Sequence, residues 1–376
     1  MKNHPVKLIL LTSIIVLAIS SCNRSNNFSF VILSDLHYDS TDVREVVIDS
    51  VICRINSMGR GREVAEIRDG AKTENGVMAE DGAKTENGAK AENGAKAEDG
   101  ADTDGAVTDG AVTDGAVTED GGNNTNSRNK KDTDNRDGSD IKFVAVLGDL
   151  TQDGREDEWL RYTQNFGVTG EADLKYPVYE IPGNHDGNID GAVRSGIRER
   201  NLARENINRS ENNLHYSWNE SGVHFAALGI YPGLEWDPDC EWCHYFHESF
   251  RDPEMSLAFL ENDLRNNLQH PDQPVILFFH YGWDGFSLLW WTEAEQERFY
   301  DIIRDYNIAA VFHGHDHAIE HHQWKGIDVW SAGSPQAGEK TGRFLTIDFE
   351  NDSMHIYSTD IKGFELINSK AVTRRY

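Results

Sequence analysis

Five short apolar runs punctuate the chain: Phe28 to Leu33, Ile141 to Leu147, Val178 to Ile181, Val275 to Phe279 and Ile308 to Phe312. Each is mostly β-branched or aromatic and too short for an ordinary helix, which predicts buried strands. Other segments carry helical spacing. Asp42 to Met58 reads as the first helix, Met255 to Leu268 sets Leu257, Leu260 and Leu264 on one stripe, and Thr292 with Glu295 forms a capping box ahead of Phe299, Ile302 and Ile303. Near the end, Phe344 to Phe349 and Met354 to Tyr357 flank Glu350-Asn351-Asp352-Ser353 as an antiparallel hairpin would. Strands alternating with helices and closing on a β-rich tail predict an α/β fold.

Polar motifs follow the runs in order: Asp35-Leu36-His37, Gly148-Asp149, Gly183-Asn184-His185-Asp186, His280 and Gly314-His315-Asp316-His317. Taken singly, an Asp-x-His or Gly-Asp is an ordinary turn, and a lone His at a strand end is more often a hydrogen-bonded core residue than a ligand. Five in sequence at five strand exits imply convergence, because strand ends of α/β folds bring distant parts of the chain together. Carboxylates, imidazoles and one side-chain amide suit first-row dications. Two such ions a few ångströms apart form a clamp for in-line attack at phosphorus, so the set reads as a phosphoesterase.

On these motifs the chain resembles the calcineurin-like metallophosphoesterase superfamily, from about Phe28 to Phe349 apart from one insertion. The resemblance implies a four-layer α/β/β/α sandwich of two mixed sheets flanked by helices, and a cofactor of two divalent ions, manganese, iron or zinc. One ion would be held by Asp35, His37, Asp149 and His317, the other by Asp149, Asn184, His280 and His315, with Asp149 bridging. A hydroxide shared by the ions would be the nucleophile on a phosphomonoester or phosphodiester. His185 is left without a metal role and is suited to proton transfer near neutrality, which makes it the expected general acid. Asp186 resembles the family residue that fixes that imidazole's tautomer and orientation. Purple acid phosphatases carry Tyr three residues beyond the bridging Asp. Gln152 stands there instead, so the site should lack a tyrosinate-bound ferric ion.

Composition adds a compartment and an interruption. Lys2 and Lys7 flank the start of an apolar stretch, Leu8 to Ile19, of signal-peptide length, and Ile19-Ser20-Ser21-Cys22 resembles a bacterial lipobox. Residues 1–21 would then be removed and Cys22 acylated, tying an exported protein to an envelope membrane; plain secretion is the alternative. The formal charge of -28 opposes nucleic-acid binding. Between Asp69 and Asp120 stand 14 acidic residues against four Lys, in repeats such as Gly-Ala-Lys-Thr-Glu-Asn and Gly-Ala-Val-Thr-Asp. With almost no large apolar residues between Asp69 and Asp140, 59–140 reads as a disordered insertion that splits one domain of 22–58 and 141–376.

Several features remain open to two readings. Cys240-Glu241-Trp242-Cys243-His244 fits a local disulfide, zinc with His247, or the spelling of haem attachment. Arg194 and Arg198 share a helical face and would grip substrate or pair with Glu199 and Glu205. Trp283, Phe286, Leu288, Leu289, Trp290 and Trp291 crowd the loop after His280; Trp290 and Trp291 either wall the substrate site or pack as core. His313 should point away from the site by strand alternation. The loop and the short tether suggest a lipid-headgroup phosphodiesterase as alternative enzyme, and the acidic repeat suggests a surface lipoprotein that binds cations or a partner.

Deleting 59–140 and closing the gap with a short linker should leave the melting temperature and metal content unchanged. Loss of metal binding in that deletion, read by elemental analysis, would place the repeat inside the functional fold.

Overall fold

The computed structural model describes residues 27–39, 45–58, 140–234, 251–336 and 342–374. Its elements run β1 (Phe28–Leu33), α1 (Glu45–Met58), β2 (Ile141–Leu147), α2 (Glu156–Asn165), β3 (Val178–Ile181), α3 (Ala192–Ala203), β4 (Asn208–Arg209), β5 (Tyr216–Glu220) and β6 (Val223–Ala227). They continue with α4 (Ser256–Asn266), β7 (Val275–Phe278), a 3₁₀ turn at Ser287–Leu289, α5 (Glu293–Ile303), β8 (Ile308–His313), β9 (Ile319–Trp324) and β10 (Ile327–Ala332). A meander of β11 (Phe344–Glu350), β12 (Ser353–Thr359) and β13 (Phe364–Ala371) closes the chain.

These strands form two mixed sheets. The first has the order β13-β12-β11-β1-β2-β3, the second β4-β5-β6-β7-β8-β10-β9. β1, β2 and β3 are parallel, as are β6, β7, β8 and β10, while the remaining pairings are antiparallel. Alternation along β1 shows why its run is apolar on both faces, with Ser29 the one exception. Phe28, Phe30 and Ile32 face the core between the sheets, whereas Val31 and Leu33 face a second core under the helices. The inter-sheet core joins Phe143 and Ile347 of the first sheet to Phe225, Phe278 and Phe312 of the second. Outside the first sheet, Ile48, Ile52 and Ile55 of α1 pack with Tyr162 of α2 and Ile197 of α3. Outside the second, Leu257, Leu260 and Leu264 of α4 pack with Phe299 and Ile303 of α5. The result is the α/β/β/α sandwich expected from the resemblance.

A buried ion cluster fastens α3 to its sheet. Arg200 meets Glu180 of β3 through two hydrogen bonds (2.8 and 3.1 Å), and Arg204 adds a third at 2.8 Å. Burial alone would raise the Glu180 carboxyl, but the two guanidiniums hold it down at about 2.

Most element boundaries match the apolar pattern within a residue or two, and the Thr292–Glu295 capping box is present. All described residues belong to one unit, Met1–Glu63 with Arg136–Tyr376. The described chain leaves off at Met58 and resumes at Asp140, whose carbonyl accepts from the Ser29 N–H at 3.1 Å. The expected leader, Cys22, the acidic repeat and the Cys240 to His247 motif lie outside the described residues. No described helix is long and apolar enough to cross a membrane.

The reading of Trp290 and Trp291 as a substrate wall is corrected: both are core. Trp291 is fully buried and Trp290 is 4% exposed. The Trp291 ring packs on Phe279 (5.4 Å between centroids), Trp283 (5.0 Å) and Phe299 (5.8 Å). Large aromatics gain most from complete removal from water, which decides between the two readings. Trp291→Ala should therefore cost about 3 to 5 kcal/mol of stability, measured by denaturant unfolding. A loss under about 1 kcal/mol would contradict this placement.

Candidate metal centre

Strand polarity delivers the five motifs to one rim. The loops after β1 and β2 are zipped by backbone bonds, Asp35 N–H to the Gly148 carbonyl (3.1 Å) and His37 N–H to the Asp149 carbonyl (2.9 Å). In the second sheet the Gly314 N–H donates to the His280 carbonyl at 3.0 Å. Turning side chains inward from so many strand ends strains the backbone. Asp35, His37, Asp149, His315 and His317 all adopt left-handed conformations, with φ of 54°, 46°, 50°, 72° and 56°. Such positions cost non-glycine residues on the order of 1 to 3 kcal/mol each and concentrate at functional sites. Close approach explains two of the glycines. A Cβ on Gly183 would strike Asp149 Oδ1, and one on Gly314 would strike Ser34 Oγ and stand 2.7 Å from the Leu147 carbonyl.

Two donor clusters result. Ligand atoms of Asp35, His37, Asp149 and His317 lie within 4.8 Å of one another, and so do those of Asp149, His280 and His315. Asn184 joins the second cluster through Oδ1, 3.0 Å from His280 Nε2 and 3.2 Å from His315 Nδ1. His37 Nε2 and His317 Nε2 face each other at 3.0 Å, a convergence of lone pairs that suits a cation better than it suits either ring. All seven expected donors are thus brought together, and carboxylate, imidazole and amide oxygen are the chemistry for two first-row dications.

The electrostatics agree. Burial, outweighing the pull of Asp149 and Asp35, lowers His37 to about 4; burial and the charge of His280 lower His315 to about 4. Both rings are neutral near pH 7 and can offer a lone pair. For His280 burial is outweighed by Asp149, 3.3 Å from its Nε2, and the ring rises to about 9. Its Nδ1 donates to the Leu147 carbonyl at 2.8 Å, which aims Nε2 at the site. Asp149 is held well below the usual carboxylate range by His280 and His37 despite its burial.

His185 stands beside the first cluster, its ring 4.8 Å from that of His37 and nearly perpendicular to it. The expected role of Asp186 needs correction. The His185 Nδ1 donates to the backbone carbonyl of Gln152 at 2.7 Å, and Asp186 is turned elsewhere. Its carboxylate accepts from Leu150 N–H (3.1 Å), Thr151 N–H (2.9 Å), Thr151 Oγ1 (2.8 Å) and Gly183 N–H (2.8 Å). Asp186 therefore organises the two loops that carry Gln152 and His185, acting at one remove. Buried beside Asp149, it is raised to about 6.

Arg194 and Arg198 are also corrected. Both guanidiniums pair with Glu254, at 3.3 and 3.1 Å, instead of Glu199 or Glu205, and Arg194 is fully buried. They tie α3 to the segment ahead of α4. His313 is buried, bonded to the Gly314 carbonyl at 2.9 Å, and belongs to neither cluster.

Two neighbours of the site were missed as such. Asp284 Oδ1 lies 4.0 Å from His315 Nε2, and the Phe286 ring stacks on the His315 ring at 5.2 Å. A signal for Asp284 was available. It precedes Gly285-Phe286-Ser287 as a cap does, and its Oδ1 accepts the N–H groups of Phe286 (2.8 Å) and Ser287 (3.0 Å).

Comparison with known proteins points the same way. The profile described as calcineurin-like phosphoesterase matches residues 28–318. The chain is 25% identical to purple acid phosphatase 15 of Arabidopsis thaliana over 174 residues, 45% of this chain and 29% of that protein. It is 27% identical over 204 residues to the probable glycerophosphodiester phosphodiesterase GpdQ of Arcobacter nitrofigilis, 51% of this chain and 63% of that protein. The chain thus spans less than two thirds of the length of either relative. Among solved structures, a dimetal phosphatase from Danio rerio aligns over 91% of this chain and 98% of its own, at 13% identity and a TM-score of 0.49.

Metal uptake should report the charge on His280. Below about 9 its ring holds a proton that an incoming ion must displace, so metal affinity should climb with pH, by up to about tenfold per unit, and level off above about 9. Calorimetry in buffers of different ionisation enthalpy counts the released proton. Saturation should occur at two ions per chain and fall in Asp149→Asn; one ion or none in the wild type contradicts the shared-carboxylate arrangement.

Proposed function

Because the chain belongs to the calcineurin-like phosphoesterase family, we propose that it hydrolyses a phosphate ester, monoester or diester, at the rim where its two sheets meet. The observation that carries this reading is the pair of donor clusters sharing Asp149. When bound, two divalent ions supply an activated water and positive charge for the phosphoryl oxygens. Manganese, iron and zinc all suit the donors.

The remaining steps fall to the chain's own residues. With Nδ1–H committed to the Gln152 carbonyl, Nε2 is the ring atom left to hold a proton for the departing oxygen. Asp186 keeps that carbonyl in place through its hold on Leu150 and Thr151. Gln152 occupies the position of the purple acid phosphatase tyrosine, with its side-chain nitrogen 3.5 Å from His185, so the loaded protein should be colourless.

We also propose that the protein belongs to a bacterial envelope, tied by an acylated Cys22; the apolar stretch Leu8 to Ile19 and the lipobox-like Ile19-Ser20-Ser21-Cys22 support this. The net charge of -28 weighs against nucleic acid, and an intact donor set against a scaffold that only binds partners.

A screen of phosphomonoesters and phosphodiesters with the metal-reconstituted chain tests the activity directly. His185→Asn tests the acid. It should slow alkyl esters by about 100-fold or more while slowing p-nitrophenyl esters far less, since an activated phenolate leaves without a proton. An equal loss across a leaving-group series would falsify the acid role.

A further inference from the structure

We propose that Phe286 is the specificity-determining residue of this centre, and that its ring receives a flat apolar ring carried by the ester. The inference rests on the phosphoesterase reading above and deepens it by naming a substrate class. The Phe286 ring stacks on His315 with centroids 5.2 Å apart and planes 29° apart, so it lies directly against one of the candidate metal ligands. It is 39% exposed, whereas Trp290 and Trp291 from the same loop are buried. Leu288 and Leu289 of the same loop are 41% and 43% exposed, so three of its apolar side chains reach solvent. Single exposed apolar residues are ordinary, but three within four residues of one loop are not.

The ring is also held in place. Tyr281 meets it edge-on at 6.0 Å, Trp290 packs on it at 6.2 Å, and the Arg251 guanidinium stands 6.0 Å from its centroid. Asp284 fixes the backbone underneath by accepting the N–H groups of Phe286 and Ser287. With 39% of its surface exposed, this fixed ring loses little entropy on binding and favours an aromatic partner in offset or edge-on contact.

The test compares two inert anions with the same phosphonate head, phenylphosphonate and methylphosphonate, binding to the metal-reconstituted full chain by calorimetry. The wild type should bind the phenyl compound about five- to tenfold more tightly. In Phe286→Ala that ratio should fall to near one, and Phe286→Trp should keep it. A ratio unchanged in Phe286→Ala, or a ratio of one in the wild type, overturns the subsite while leaving the phosphoesterase reading intact. Failure of the reconstituted wild type to bind either phosphonate removes both.

Discussion

Everything at the rim depends on one buried carboxylate that must be reached from both sheets. Asp149 leaves β2 in a left-handed conformation and meets His280 of the second sheet at 3.3 Å and His37 of the first at 3.7 Å. It also accepts the His185 N–H at 2.9 Å. A carboxylate with no exposed surface is tolerated only when charge and donors surround it. Here the surroundings are the ligands themselves. Without a cation, the charge of Asp149 is balanced by the proton it forces onto His280; with cations bound, that proton is superfluous. Site assembly, metal uptake and pH are linked through this one group.

The constraint reaches outward into backbone that would otherwise be hard to explain. Five of the twelve described non-glycine residues with positive φ are donors to the clusters. Gly183 and Gly314 stand where any side chain would strike Asp149 or Ser34. Strain of this kind persists only when the rest of the fold over-determines it. The inter-sheet core provides that, since Phe30, Phe143, Phe225 and Phe278 lock the two sheets face to face.

What could be read from the chain alone follows from where each signal resides. Strands buried on both faces print predominantly apolar runs, broken in β1, β2 and β3 by one polar residue each, so β1, β2, β3, β7 and β8 are legible, and the ligands sit at fixed offsets from their ends. The edge strands β9 and β13 left little trace. Their residues are half-exposed and polar, as in Glu320-His321-His322 and Asn368-Ser369-Lys370, and their pairing comes from tertiary context. Side-chain partners were harder still. Arg194 and Arg198 share a helical face as expected, yet their partner Glu254 lies in another element, a distance no local spacing encodes. Asp186 follows His185 directly and still turns to the loop after β2, because three donors await it there, with Gly183 N–H as a fourth from its own loop.

The loop after β7 shows the limit most plainly. Composition marked it as too aromatic for solvent, which was right, but not which rings faced which way. Burial divides it: Trp290 and Trp291 complete the outer core, and Phe286, only four residues before Trp290, lies against His315. A strand end carries its ligand by geometry that any sequence with the same apolar run will reproduce. A loop carries its residues by packing that depends on every neighbour. Chemistry lodged at strand ends is therefore readable across a whole family, while side chains carried by loops, such as Asp284 and Phe286, take an orientation that emerges only once the core beneath them is built.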